Sequence, residues 1–151
     1  MLDPGTPAPD LELRDQDGNL VRLRGYMGHP VVLFFYPKDD TRICTSEACG
    51  FRDAYTEFTE LGAVVLGISG DGADSHRAFA ERWNLPFRLL CDTQGAARKA
   101  FRVPRTLGLL PGRVTYVIDH QGVIRAAIND PFKASRHVRE ALAALEHQRT
   151  G

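Results

Sequence analysis

Short apolar runs alternating with amphipathic segments constrain this chain more than any other feature. Val31 to Tyr36 and Ala63 to Ser69 are largely apolar stretches of strand length, and Phe87 to Leu90 is a shorter third. Between the first two, residues 45–60 carry Phe51, Ala54, Tyr55, Phe58 and Leu61 at three- and four-residue steps. That spacing lays one apolar stripe along a helix. Gly62 supplies its stop signal. Ala73 to Trp83 reads as a second helix with Phe79 and Trp83 on one face, and Gln94 to Phe101 as a short third. Strand–helix alternation argues for parallel strands, because each helix carries the chain back across the sheet.

The flanks have a different grammar. Pro4, Pro7 and Pro9 make an extended lead-in. Leu11–Leu13 and Leu20–Leu23 alternate on either side of the turn Asp15–Asn19, a hairpin signal. Gly25 to Pro30 is a loop, and so is Val103 to Gly112 with its two prolines. Arg113–Asp119 and Val123–Ile128 form a closing hairpin around His120-Gln121-Gly122. Ser135 caps a last helix whose Val138, Leu142 and Leu145 share a face. The expected fold class is α/β: a central mixed sheet flanked by helices, with an N-terminal β-hairpin.

The 151 residues suit one domain spanning 1–151. Nineteen basic and nineteen acidic residues balance. That argues against nucleic acid or an anionic membrane as the main partner, since both demand a basic face. A net charge of zero leans toward self-association, so a monomer or a weak homodimer is expected. No apolar run approaches the roughly 20 residues that cross a bilayer. Met1-Leu2-Asp3-Pro4-Gly5 has neither a basic start nor an apolar segment, which reads as a cytoplasmic protein without a signal peptide. In a reducing cytosol, cysteines are more often catalytic, redox-sensing, metal-binding or simply buried than disulfide-bonded.

Two of the three cysteines, Cys44 and Cys49, stand where the first central strand gives way to the first helix. Pro37 ends that strand because it has no N–H for the ladder. A polar loop follows, and Thr45 or Ser46 begins the helix. The helix dipole and free backbone N–H groups there favour negative charge on a sulfur. Four residues separate the cysteines, so they form neither a C-x-x-C redox motif nor a zinc knuckle. A disulfide remains, under a sharp limit. In one regular helix their Cα atoms would lie about 8.6 Å apart, from a rise of about 7.5 Å and a turn of about 140°. Disulfides need less than about 7 Å. A Cys44–Cys49 bond must therefore unwind the first turns of the helix.

The neighbourhood suits a peroxide. Breaking an O–O bond builds negative charge on the departing oxygen, which calls for donors aimed at it in a dry pocket. Thr41 can bring a hydroxyl, Pro37 an apolar wall and Arg113 a fixed cation. Taken singly, each has a plainer reading: Thr41 as an N-cap, Pro37 as a strand terminator, Arg113 as a surface charge. Cys91 beside Leu89 and Leu90 reads first as a small buried core residue and second as an alternative resolving thiol. Glu47 reads either as a surface acid or as a brace for an arginine. The five histidines are scattered, and none is assigned to a metal or a base.

Pro37-Lys38-Asp39-Asp40-Thr41-Arg42-Ile43-Cys44 resembles the P-x-x-x-T-x-x-C signature of peroxiredoxins. The longer run Tyr36 to Asp53 is similar to the bacterioferritin comigratory protein (peroxiredoxin Q) branch. Pro9–Leu13, Val65–Ser69, Leu89–Asp92 and Arg113–Asp119 extend the likeness over nearly the whole chain. The resemblance implies a thioredoxin-like fold and thiol-dependent reduction of hydrogen peroxide and organic hydroperoxides. It implies Cys44 as the peroxidatic and Cys49 as the resolving cysteine, with Pro37, Thr41 and Arg113 forming the pocket. Thioredoxin is the implied electron donor, with no metal, haem or flavin. Where the branch commonly has Pro-Gly before the reactive cysteine, this chain has Arg42-Ile43. Two rivals come from the same residues. A disulfide oxidoreductase acting on protein thiols lacks its C-x-x-C here. A redox-sensing binding module would signal by helix unwinding with little turnover.

Overall fold

A computed structural model describes residues 1–106 and 110–150. The chain opens with the hairpin β1 (Glu12–Arg14) and β2 (Leu20–Arg22). Asp15 holds its turn by accepting the N–H groups of Asp17 and Asn19, both at 2.9 Å. After one 3-10 turn come β3 (Val31–Phe35), α1 (Arg42–Asp53), α2 (Tyr55–Glu60), β4 (Val64–Ser69), α3 (Ala73–Trp83), β5 (Arg88–Cys91) and α4 (Ala96–Ala100). The two-residue strands β6 (Arg105–Thr106) and β7 (Leu110–Pro111) pair with each other. The hairpin β8 (Val114–Ile118) and β9 (Ile124–Asn129) and the helix α5 (Ala134–Thr150) complete the chain.

Five strands make the central sheet in the order β5-β4-β3-β8-β9. β3, β4 and β5 run parallel, while β8 is antiparallel to β3 and β9 to β8. This is the mixed sheet that the sequence leads one to expect. Alternation along β3 divides the core. Val32, Phe34 and the following Tyr36 face one cluster with Phe51 of α1, Phe58 of α2, Phe79 of α3, and Ala141 and Leu145 of α5. Val31, Leu33 and Phe35 face another, with Leu11 and Val21 of the hairpin region and Ala97 and Phe101 around α4. Gly67 in β4 is required by this packing. A Cβ there would lie 2.8 Å from the Phe34 ring and 2.9 Å from Leu89. Phe34 thereby stays low over the sheet and stacks on Phe51 at 4.5 Å between centroids.

The structure corrects three expectations. The helix drawn over 45–60 starts earlier and is interrupted. Thr41 has extended backbone angles and its C=O accepts the N–H of Thr45 at 2.8 Å, so Thr41 is the N-cap and the helix begins at Arg42. Arg42 and Ile43 both accept helical geometry, so nothing delays the start to Thr45. At Ala54 the N–H reaches both Gly50 and Arg52, a tightening that separates α1 from α2. Ser135 is not the cap of α5, which begins one residue before it. Asp130 takes the N–H groups of Phe132 and Lys133 ahead of that helix instead. The loop drawn over Val103–Gly112 contains the β6–β7 pair, and residues 107–109 of it lie outside the described residues.

Candidate active site

The register between β3 and β8 assembles the site. Phe35 lies opposite Val114, so Arg113, one residue before β8, comes level with the end of β3. Tyr36 and Pro37 leave the sheet there, and the loop turns through Asp40 into α1. Asp40 has φ +57°, a left-handed conformation that aspartate tolerates better than bulky residues do. Its Oδ1 accepts from the Trp83 indole at 3.1 Å and from Arg82 at 3.4 Å, which ties the loop to the end of α3.

Cys44 is the third residue of α1, so its sulfur sits in the first turn of the helix. It is 1% exposed and packs in the same cluster as Tyr36, Ala48 and Phe51. With the helix starting at Arg42, that sulfur falls on the buried face of α1. Arg113 meets it there: Nη2 donates to Cys44 Sγ at 3.1 Å. Arg113 is itself 4% exposed, so the guanidinium acts across a site largely screened from water.

A second anion partner shares that cation. Arg113 Nη1 donates to Glu47 Oε1 at 3.3 Å, and Glu47 is fully buried one turn along from Cys44. Burial pushes the Glu47 carboxyl up to about 8, although the neighbouring Arg113 pulls the other way. Glu47 Oε2 has no hydrogen-bond partner among the described residues and lies 3.6 Å from His137 Nδ1. His137 Nε2 faces the Asp130 carbonyl at 2.8 Å, so it carries the hydrogen. Nδ1 meets the Thr115 hydroxyl at 2.7 Å. Burial holds His137 below the usual imidazole range, against the Asp130 carbonyl.

Pro37 is half-buried, directly after Tyr36. Thr41 is exposed at the helix N-cap, and its hydroxyl donates to the Lys38 carbonyl at 3.0 Å. The hydroxyl oxygen keeps its lone pairs for another donor. Cys49 is half-buried further along α1, and burial of its thiol raises it while Arg52 lowers it in part. All three cysteines are free. Cys91 is half-buried at the end of β5, with its Sγ 3.9 Å from the Asp15 carbonyl.

The loop before α1 rests on a buried polar network. Asp39 accepts from the Tyr36 hydroxyl at 2.6 Å and from Ser75 at 2.9 Å, and pairs with His76 Nδ1 at 2.7 Å. The other nitrogen of His76 meets the Leu90 carbonyl at 2.9 Å. Asp71 accepts the Asp39 N–H at 2.8 Å and the Ser69 hydroxyl at 2.6 Å. Asp39, Asp71 and His76 bring three potential metal-ligand atoms within 4.8 Å of one another. Those residues are already engaged in hydrogen bonds that fix the loop, so the cluster is structural.

The geometry thus brings Cys44, Arg113 and Glu47 into direct contact, and adds His137 and the Asp39–His76 network, which sequence reasoning leaves unassigned. One signal for His137 is present in the sequence. It stands four and eight residues before Ala141 and Leu145, so it lies on the buried stripe of α5.

Comparison with known proteins follows the same lines. Residues 4–127 match the AhpC/TSA family. Peroxiredoxin Q, chloroplastic, from Oryza sativa subsp. japonica is 48% identical over 143 residues, covering 94% of this chain. The chain spans 66% of that relative's length. Peroxidoxin BcpB from Mycobacterium tuberculosis superposes with a TM-score of 0.90 at 40% identity, covering 97% of this chain and 98% of its own. The bacterioferritin comigratory protein of Xanthomonas campestris, solved in a study of its alkyl peroxide reduction activity, gives a TM-score of 0.87 at 31% identity, covering 97% and 99%. A mixed five-stranded sheet with this helix order, and likeness to these proteins over nearly the whole chain, leave one assignment: the chain has the thioredoxin-like fold of the AhpC/TSA family and belongs to its peroxiredoxin Q, or bacterioferritin comigratory protein, branch.

Proposed function

We propose that this chain, as one domain, is a thiol peroxidase that reduces hydrogen peroxide and organic hydroperoxides at Cys44. The observation that carries the reading is the 3.1 Å contact between Arg113 Nη2 and Cys44 Sγ, both almost fully buried. A fixed guanidinium there holds a thiolate and then faces the oxygen on which charge develops. Pro37 limits water on one side, and the Thr41 hydroxyl oxygen orients the peroxide as an acceptor. Cys44 becomes a sulfenic acid. Cys49, kept as a thiol by its burial, attacks it and releases water. Both cysteines belong to α1, and a regular helix holds their Cα atoms about 8.6 Å apart, so the first turns must unwind for the disulfide to form. The same opening exposes the sulfur to reductant. A dithiol of the thioredoxin type restores both thiols, which suits a reducing compartment, the cytoplasm, and a monomer or weak homodimer.

Stopped-flow peroxide consumption with thioredoxin tests the cycle. Cys44→Ser should abolish it. Cys49→Ser should complete one turnover and stop at the sulfenic acid. A Cys49→Ser protein that still cycles at the full rate would remove Cys49 from the resolving role. A single slow equivalent from the unmodified protein would point to a sensor, and family membership favours the peroxidase.

A further inference from the structure

Arg113 is shared. Its two terminal nitrogens meet Cys44 Sγ at 3.1 Å and Glu47 Oε1 at 3.3 Å, and the three side chains are almost wholly buried. A site this dry tolerates an unbalanced charge poorly. One guanidinium balances one anion. While the sulfur is a thiolate, a neutral Glu47 completes the balance. Once the sulfur has lost its charge, a Glu47 carboxylate can take its place opposite Arg113.

We propose that Glu47 stores a proton while Cys44 is a thiolate and gives it up as the peroxide removes the negative charge from the sulfur. This rests on the peroxidase reading above. The thiolate attacks the terminal oxygen of R–O–OH. An S–O bond forms, the O–O bond breaks, and two electrons pass from sulfur to the peroxide. Cysteine sulfenic acid and RO⁻ result, and RO⁻ requires one proton. In net terms the Glu47 carboxylic acid supplies it, and the resulting carboxylate stays paired with Arg113. The buried site begins and ends with one positive and one negative charge. Glu47 touches Arg113 and not the reacting atoms, so it is a positioning residue.

The groups around Glu47 agree with this. Cys44 faces it from α1 and Arg113 from the start of β8. From α5, His137 is 3.6 Å from Oε2, and burial holds it below the usual imidazole range, which favours a neutral ring over a second cation. Thr115 of β8 adds only a hydroxyl. The Asp130 carboxylate and Arg136 lie beyond and pair with each other at 3.4 Å. Glu47 Oε2, unpartnered among the described residues, suits a protonated acid better than a bare carboxylate oxygen. The upward displacement of the Glu47 carboxyl by burial points the same way.

Proton counting tests the idea. Reduced Cys49→Ser protein, which ends at the sulfenic acid, is mixed with one equivalent of hydrogen peroxide in weak buffer near neutral pH with a pH indicator. Protein carrying Glu47 should take up close to no proton per sulfenic acid formed, whereas added Glu47→Gln should bring uptake close to one. Equal uptake by the two, with sulfenic acid confirmed at Cys44 by mass spectrometry, overturns the proposal alone. Absence of sulfenic acid in both overturns the peroxidase reading and the proposal with it. Should Glu47→Gln fail to fold, infrared difference spectra of the Glu47 protein decide. Loss of a protonated-carboxyl C=O band on adding peroxide supports the proposal, and its persistence overturns it.

Discussion

At the scale of single residues, the site turns on the shape of one guanidinium. Arg113 uses separate nitrogens for Cys44 and Glu47, and its Nε lies 3.4 Å from the Pro131 carbonyl. A planar fork meets these three acceptors from three separate nitrogens, whereas an ammonium carries all three of its donors on one atom and cannot span them. Arg113→Lys keeps the charge but loses the geometry. Peroxide reduction should slow by about a hundred- to a thousand-fold, the usual loss when one fixed donor is withdrawn from a developing anion. The measurement is the second-order rate of peroxide consumption under single turnover. An Arg113→Lys protein reacting within a few-fold of the parent would mean that net positive charge alone suffices, and the fork would then matter only for structure.

At the scale of elements, α1 carries both Cys44 and a buried acid, and this makes its packing sensitive to pH. Folded, Glu47 is raised from an ordinary 4.5 to about 8. The native state therefore holds a proton that the unfolded chain has released across that window. Stability falls with pH wherever the native state binds more protons, so it should decline as pH rises from about 4.5 toward 8. Thermal melts of the reduced protein at several pH values should show this slope, and Glu47→Gln, which cannot ionise, should flatten it. Equal slopes in the two proteins would place Glu47 in an environment unlike this buried one. Sequence reasoning captures the elements well and this coupling poorly, for a physical reason. The apolar stripe of Phe51, Ala54 and Phe58 and the run Val31–Tyr36 are local patterns that periodicity reveals. The start of α1 at Arg42 hinges on the backbone angles of Thr41, which no side-chain pattern announces. The meeting of Glu47 with His137 depends on α5 packing across α1 some ninety residues later. Arg113 is offered by the sequence as a candidate cation, but only the family resemblance raises it above a surface charge, since its approach to Cys44 follows from the β3–β8 register.

At the scale of the whole molecule, two buried polar networks brace the same end of the sheet near Cys44. Glu47, Arg113 and His137 join α1 to β8 and α5. Tyr36, Asp39, His76 and Asp71 join the loop before α1 to α3 and to the ends of β4 and β5. In the proposed cycle the first must change as α1 unwinds, because Glu47 rides on that helix. The second need not, because its members lie before α1 or beyond it. It can therefore serve as the fixed frame to which the helix returns after each cycle. Asp39 is its hub, with the Tyr36 hydroxyl, the Ser75 hydroxyl and His76 Nδ1 all on one carboxylate. Asp39→Ala leaves two of those groups buried without their acceptor, at about 1–3 kcal/mol each, so a loss of roughly 3 kcal/mol in urea unfolding is expected. The same change should slow peroxide reduction, since Pro37 and Thr41 belong to the loop that Asp39 anchors. Tyr36→Phe, which removes one donor and leaves the hub in place, should cost less on both counts. If Asp39→Ala lost the stability yet kept the full rate of reaction, the network would brace the fold without positioning the loop, and the return of α1 would have to be guided by its apolar packing, Phe51 on Phe34 and Phe58 included.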